Sequence, residues 1–598
     1  MDVQPTLSPT VATWASPAMS SPHREKTESV PATVDDFLVA ALRAEGVRVI
    51  FAHPGPIGMP LFDRLARSDI DVVFLRHEQS AAHAADGYAR TSADADVGVC
   101  LVTAGAGVSS AITGIATAHL DSIPMVVLVV QGALDGSEAV DSMGVTRSCV
   151  KHSLVLSDAD QLETVVKKAF HLARTGRPGP VLIEFTAEVR GAIRTRPFDY
   201  SGAVVIPAYR VNRPPPRNQI RIAVEAIRDA KRPLIYYGGG VIAGKAHPQL
   251  RALAELTGAP VTGTLMGLGA FDATHPQWIG MLGMHGLYEA NMAMQHCDVL
   301  IAIGARFDDR VIGDPVDFAR PQRRIIHIDI DPTSIDKRVA VDIPIVGHCG
   351  QVLEALMAQL GAHPGAAAQG DWWQTIGGWR AARCLAYPRA SQAIKPQRVI
   401  EVLSNLPGAG DFIVTSDVGQ HQMWTAQYFQ FREPRRWVNS GGLGTMGYGL
   451  PAAIGAATGH PDRTIVCVSG DGSIQMSSKE LITCLQYGLP IKIICLNNSQ
   501  LGMVRQQQDL YHGRRRSHSY MEALPNFVAL AEAYGHRGVR ITADSQLEPT
   551  LHEVFSDRER LVFVDVIVDR SENVYPTLAP GRPLTDMLLR APVAAEDL

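Results

Sequence analysis

The chain has little of what marks a specialised environment. Eight cysteines are scattered over 598 residues, and no two stand as C-x-x-C. Neither a disulfide framework nor a cysteine zinc site is suggested, and a reducing, cytoplasmic compartment is expected. Charge of one sign is also scarce: 55 basic residues against 60 acidic leave −5. No broad basic field exists for nucleic acid or an anionic membrane. The longest apolar stretch, near residues 123–130, is far short of the ~20 residues that span a bilayer. Residues 1–30 lack the apolar run of a secretory leader. They carry one Arg beside Asp2, Glu25 and Glu28, where an organellar presequence would be Arg-rich. Rich in Ser, Thr and Pro, they read as a disordered tail.

What is present is a large globular composition. Apolar residues make up 46% and charged residues 19%, enough for several cores. From Thr33 the pattern alternates helix and strand. Helices are predicted over 34–45, near 59–67 and from 79, and strands at 47–51, 72–75, 97–103 and 125–130. The last two are near-continuous apolar runs, as parallel strands covered on both faces require. A Pro-rich stretch, 191–217, separates this unit (31–190) from a second (218–362) with strands predicted at 234–237, 260–262, 299–303 and 325–328. An Ala/Gly-rich start marks 363–391 as another linker. A third unit, 392–580, has predicted strands at 412–416, 464–469, 491–496 and 561–567, and 581–598 is left as a C-terminal tail. The expected fold is α/β: three doubly wound parallel-sheet domains.

The strongest chemical signal is Gly470-Asp471-Gly472, then 24 residues, then Asn497-Asn498. Each half follows an apolar strand, so an acid and an amide arrive at one sheet edge, where open α/β sheets bind ligands. A carboxylate and an amide carbonyl are hard oxygen ligands suited to Mg²⁺ held jointly with phosphates. The glycines let backbone N–H groups approach a diphosphate.

This segment resembles the thiamine diphosphate (ThDP) motif. Arg76-His77-Glu78-Gln79 resembles the activating-glutamate motif of a pyrimidine-binding domain. Gly419-Gln420-His421-Gln422-Met423-Trp424, Ser440 to Gly447 (SGGLGTMG) and Arg306-Phe307-Asp308-Asp309-Arg310 are similar to the acetohydroxyacid (acetolactate) synthase catalytic-subunit family. The likeness covers about residues 33–580. It implies a pyrimidine-binding first domain, a central FAD-binding-like domain and a diphosphate-binding third domain. It further implies decarboxylation of pyruvate and transfer of its two-carbon unit to a second 2-ketoacid, giving 2-acetolactate, as in branched-chain amino-acid biosynthesis. Two alternatives stay open: a ThDP carboligase or decarboxylase with another 2-ketoacid or aldehyde substrate, and a non-catalytic ThDP/FAD-binding homologue.

The resemblance assigns roles residue by residue. Glu78 would stand beside the aminopyrimidine and favour the tautomer that takes the thiazolium C2 proton; burial raises a carboxyl pKa and helps it share a proton. Met446 would bend the cofactor, and Arg310 would hold the acceptor carboxylate. ThDP would contact Gln420, His421, Gly444, Thr445, Met446, Gly470, Asp471, Gly472, Ser473 and Asn498. Asp471, Asn498 and Gln500 would ligate Mg²⁺. A non-redox FAD would meet Arg177, Gly239, Thr264, Leu265, Gly283, Met284, His285, Gly304, Arg306, Asp308, Asp329 and Ile330. In the family the cofactor-binding units meet across a subunit interface, so a homodimer is the minimum unit. A homotetramer and a small regulatory subunit are further family features.

Departures cluster on the substrate side, assigned to Glu138, Lys151, Met284, Arg310 and Gln507. Pro54-Gly55-Pro56-Ile57 replaces the family's Pro-Gly-Gly-Ala, and residues 131–144 are shortened. Glu138 falls where the family has Gln. It either lines the pocket, repelling anionic 2-ketoacids, or points to solvent. Ala187 replaces a usual Lys. Gln507 stands where many members carry a Trp that favours the larger acceptor 2-oxobutyrate.

Overall fold

A computed structural model describes residues 33–591 except 93–96, 133–139, 191, 193, 195, 208, 212–213, 320–321, 362–369 and 390. Glu138 thus lies outside the described residues. Three six-stranded sheets are built only from parallel pairs. In the first, the spatial order is Asp71–Phe74, Val49–Ala52, Gly98–Thr103, Met125–Val130, Pro180–Phe185 and His152–Leu156. The third repeats that connectivity with Trp437–Asn439, Ile413–Ser416, Ile465–Gly470, Lys492–Asn497, Val562–Ile567 and Arg537–Ile541. The middle sheet differs. Its order is Ile343–Val346, Arg324–Asp329, Val299–Ile303, Pro233–Tyr237, Val261–Gly263 and Trp278–Met281, the dinucleotide-fold order read from its far edge.

The central strands are buried on both faces. Every residue of Met125–Val130 and of Lys492–Asn497 is buried, which explains the apolar runs 125–130 and 493–496. The flanking helices are one-sided. In Leu162–Arg174, Leu162, Val165, Val166, Ala169, Phe170 and Ala173 face the core, at helical spacing.

The first and third units share one apolar core, in which Ile115 and Val127 join Ile454 and Ile493. Its seam is the Ala-rich helix Glu78–Thr91, buried continuously from Ser80 to Thr91, against helix Gly449–Gly459. Two glycines permit the contact. A Cβ at Gly87 would run into the Ala452 backbone, and one at Gly455 into the Ala84 carbonyl.

Two segments differ from expectation. Within 363–391, Gly370–Arg380 is a helix, with Trp372 buried in the middle unit. Its indole N–H donates to the Pro233 carbonyl at 3.1 Å. The start of the 581–598 tail also packs on the middle unit, where Leu584 is buried. Among the described residues no helix is long and apolar enough to cross a membrane.

Candidate functional site

Strands Ile465–Gly470 and Lys492–Asn497 are neighbours, with Gly470 opposite Leu496. Both therefore end at one edge, and Asp471 and Asn498 follow them into the same cleft. The Asp471 carboxylate is buried. Its Oδ1 accepts the Gly472 N–H at 3.1 Å, while Oδ2 has no protein partner. Burial pushes this carboxyl up to about 7. Gln500 Oε1 is likewise buried and unpartnered. Asn498 Nδ2 donates to Gln420 Oε1 at 3.3 Å. Buried oxygens without donors are rare; a divalent cation between phosphates and these oxygens would satisfy them. Among the described residues no three His, Cys, Asp or Glu side chains converge, so such a cation would rest on one carboxylate with amide oxygens and ligand.

Gln420 and His421 begin helix Gln420–Tyr428. Burial pushes His421 down to about 3, so its ring is neutral, and its Nε2 has no partner. The loop after Asn439 carries Gly444, at φ +79°, and Met446 into the cleft. Asp417 holds that loop. Its carboxylate accepts the N–H groups of Val418, Gly447 and Gly449 at 2.8, 2.9 and 2.9 Å, although burial pushes it up to about 6. The sequence reading missed Asp417; an Asp directly after the Ile413–Ser416 strand and before the Gly419–Trp424 motif was the available signal.

The cleft continues into the middle unit as one cavity of about 700 Å³. Arg177, Gly239, Thr264, Leu265, Met284, His285, Gly304, Arg306, Asp308, Asp329 and Ile330 line it there, together with Arg310 and Gln507. Gly238, Gly239 and Gly240 all line it, and a Cβ at Gly238 or Gly240 would run into the Gly304 backbone. Thr264 Oγ1 and His285 Nδ1 are buried without partners, as donors and acceptors awaiting a polar ligand would be. Burial lifts Asp329 to about 6. The Arg310 guanidinium does not pair with Asp308 or Asp309; Nη1 donates to the Gly441 carbonyl at 2.9 Å.

Four expected residues do not line this cleft. Glu78, at the start of its helix, is half-buried and packs beside Gly107 instead. Thr445 turns its hydroxyl to Thr117 Oγ1 at 2.8 Å. Gly283 sits behind the wall, its N–H donating to Asn291 Oδ1 at 2.8 Å. Lys151 is corrected most clearly. Its Nζ donates to the Leu172 and Thr175 carbonyls at 2.5 and 2.6 Å. It closes the C-terminal end of helix Leu162–Arg174, a favourable place for a cation. Burial and the nearby Arg177 lower it to about 8.

The family comparisons agree with this architecture. Residues 32–153 match the N-terminal TPP binding domain of thiamine pyrophosphate enzymes, 220–356 the central domain and 417–566 the C-terminal TPP binding domain. The chain is 48% identical over 565 residues to the acetolactate synthase isozyme 3 large subunit of Escherichia coli K12, covering 93% of this chain and 98% of that protein. It is 46% identical over 566 residues to the acetolactate synthase large subunit of Haemophilus influenzae, with the same coverage. Against the acetolactate synthase of Mycobacterium bovis identity is 41%, covering 91% of this chain and 89% of that one.

Proposed function

This chain belongs to the acetolactate synthase large-subunit family of thiamine diphosphate enzymes, and from that membership we propose how its own residues divide the work. The activity is ThDP-dependent formation of acetolactate: pyruvate loses CO₂ and its remaining two carbons are joined to a second 2-ketoacid. When bound, ThDP supplies the electron sink for the decarboxylation.

Asp471, Asn498 and Gln500 would hold Mg²⁺, which would supply positive charge beside the diphosphate. The backbone at Gly470, Gly472 and Ser473 would approach that diphosphate closely. Gln420 and the neutral His421 would fix its orientation. Met446 would press between the two rings. Arg310, which is exposed and reaches over Gly441, offers a cation to the carboxylate of the incoming 2-ketoacid. The middle-unit half of the cleft would hold FAD without redox change, with Arg177 and Gly239 among the residues that would bind it. Gln507 replaces an aromatic acceptor-side wall, so we read the acceptor preference as shifted toward pyruvate.

Glu78 does not line the cleft of its own chain. We read it as completing the cleft of a second copy, and a homodimer as the smallest active assembly. A small regulatory subunit is compatible with the family.

The observation that carries this reading is the pair of buried, unpartnered oxygens, Asp471 Oδ2 and Gln500 Oε1, in one cleft with Met446 and Arg310. The test is purified protein with ThDP, Mg²⁺ and FAD, given pyruvate alone and then with 2-oxobutyrate, with products identified. Acetolactate is expected as the main product from pyruvate. Acetaldehyde without ligation, or no turnover, would reject the reading.

A further inference from the structure

The loop that brings Met446 into the cleft is anchored by all three units. Asp417 holds Gly447 and Gly449 from the third, and Arg310 holds the Gly441 carbonyl from the middle one. The first unit adds three more buried anchors. Asp121 Oδ1 accepts the Gly442 N–H at 2.7 Å. Asp86 Oδ1 accepts the Tyr448 hydroxyl at 2.5 Å. Thr117 donates its own proton to the Thr113 carbonyl at 2.9 Å, so Thr445 is the donor in the Thr117–Thr445 hydroxyl pair.

Arg90 joins the two acids. Its Nε meets Asp86 Oδ1 at 2.5 Å and its Nη2 meets Asp121 Oδ2 at 2.6 Å. The Asp86 and Asp121 side chains are fully buried and Arg90 is 6% exposed. Two buried carboxyl groups share one guanidinium away from water. The Gly442 amide and the Tyr448 hydroxyl, both in or beside the Met446 loop, are further donors to them. Moving the loop would leave those buried oxygens without these donors, which is costly. The ion cluster therefore holds the loop at one height.

We infer that Arg90, Asp121 and Thr117 are positioning residues for the carboligation. They act through the Gly442–Met446 segment and set where the Met446 side chain sits. The grip on the diphosphate belongs to other residues, so the set should govern turnover more than cofactor affinity. This rests on the reading of Met446 as the residue that bends the cofactor.

The test compares Thr117→Val, Asp121→Asn and Met446→Ala in the full-length protein. Readouts are kcat, pyruvate KM, calorimetric ThDP affinity of cofactor-stripped protein, near-ultraviolet circular dichroism on adding ThDP, and the unfolding midpoint. Thr117→Val removes one hydroxyl at constant shape. It should lower kcat about tenfold and alter the dichroism of bound cofactor, with KM and ThDP affinity within about twofold. Asp121→Asn should lower kcat about 100-fold in the same pattern; if it does not fold, Thr117→Val decides alone. Wild-type kcat in Thr117→Val, or a kcat loss matched by an equal loss of ThDP affinity, overturns the inference. Full activity in Met446→Ala sinks instead the reading of Met446 on which it rests. A collapsed Met446→Ala beside a full-rate Thr117→Val sinks the positioning role alone.

Discussion

The first and third sheets run their strands in the same spatial order, yet they treat their key acids differently. The third delivers Asp471 into the cleft, buried and with one oxygen unpartnered. The first places Glu78 at the start of a helix, half-buried and outside that cleft. Topology alone does not decide where an acidic side chain ends up; the packing of one unit on the other does. Here the Glu78–Thr91 helix is committed along its length to the seam with Gly449–Gly459, and only its first turn is left to serve another surface.

The sharpest way to break the comparison is to disable each acid. Glu78→Gln should bind ThDP yet lose about 1,000-fold in kcat. Near-normal turnover would remove the activating role. Mixing that variant with an inactive Asp471 variant, after dissociation and reassociation, should restore about a quarter of wild-type activity if the acids meet across a two-fold axis; no recovery would place both in one chain's site. Asp471→Asn should raise the Mg²⁺ requirement about 100-fold, read as activity against added cation after chelation. An unchanged cation dependence would reject the metal assignment.

Smaller effects sharpen the substrate side. Gln507→Trp should raise the preference for 2-oxobutyrate over pyruvate as acceptor about tenfold, measured as the product ratio in mixed-substrate reactions. Lys151→Met should leave pyruvate KM within about twofold and lower the first unfolding transition by about 3 °C, because its partners are backbone carbonyls at a helix end. A large KM change would return Lys151 to the pocket.

Two-sided burial made some strands legible, though the fully buried Pro180–Phe185 went unread. The strands read at 125–130 and 299–303 coincide with Met125–Val130 and Val299–Ile303, since central parallel strands are apolar throughout. The edge strands His152–Leu156 and Arg537–Ile541 went unseen because most of their residues are partly buried or exposed, which breaks the apolar run. Trp437–Asn439 is three residues long, too short for a period. The cleft-lining residues around Asp471, Gln420 and Met446 could be named because the chemistry proposed for them demands rare local patterns. Arg90 and Asp86 could not: an acid and an arginine four apart on a helix look like any exposed ion pair. Only the fold brings Asp121, Tyr448 and Gly442 to them. Lys151 failed for the converse reason. A lone lysine carries no mark that separates a ligand for carbonyl groups from a partner for substrate.

The Gly87 and Gly455 contact limits how such a protein can breathe. Two helices whose backbones touch leave no slack for sliding or hinging between the outer sheets, so these travel together as a single rigid plate. One methyl group added at either glycine would act as a wedge, prising the plate apart far from any reacting atom.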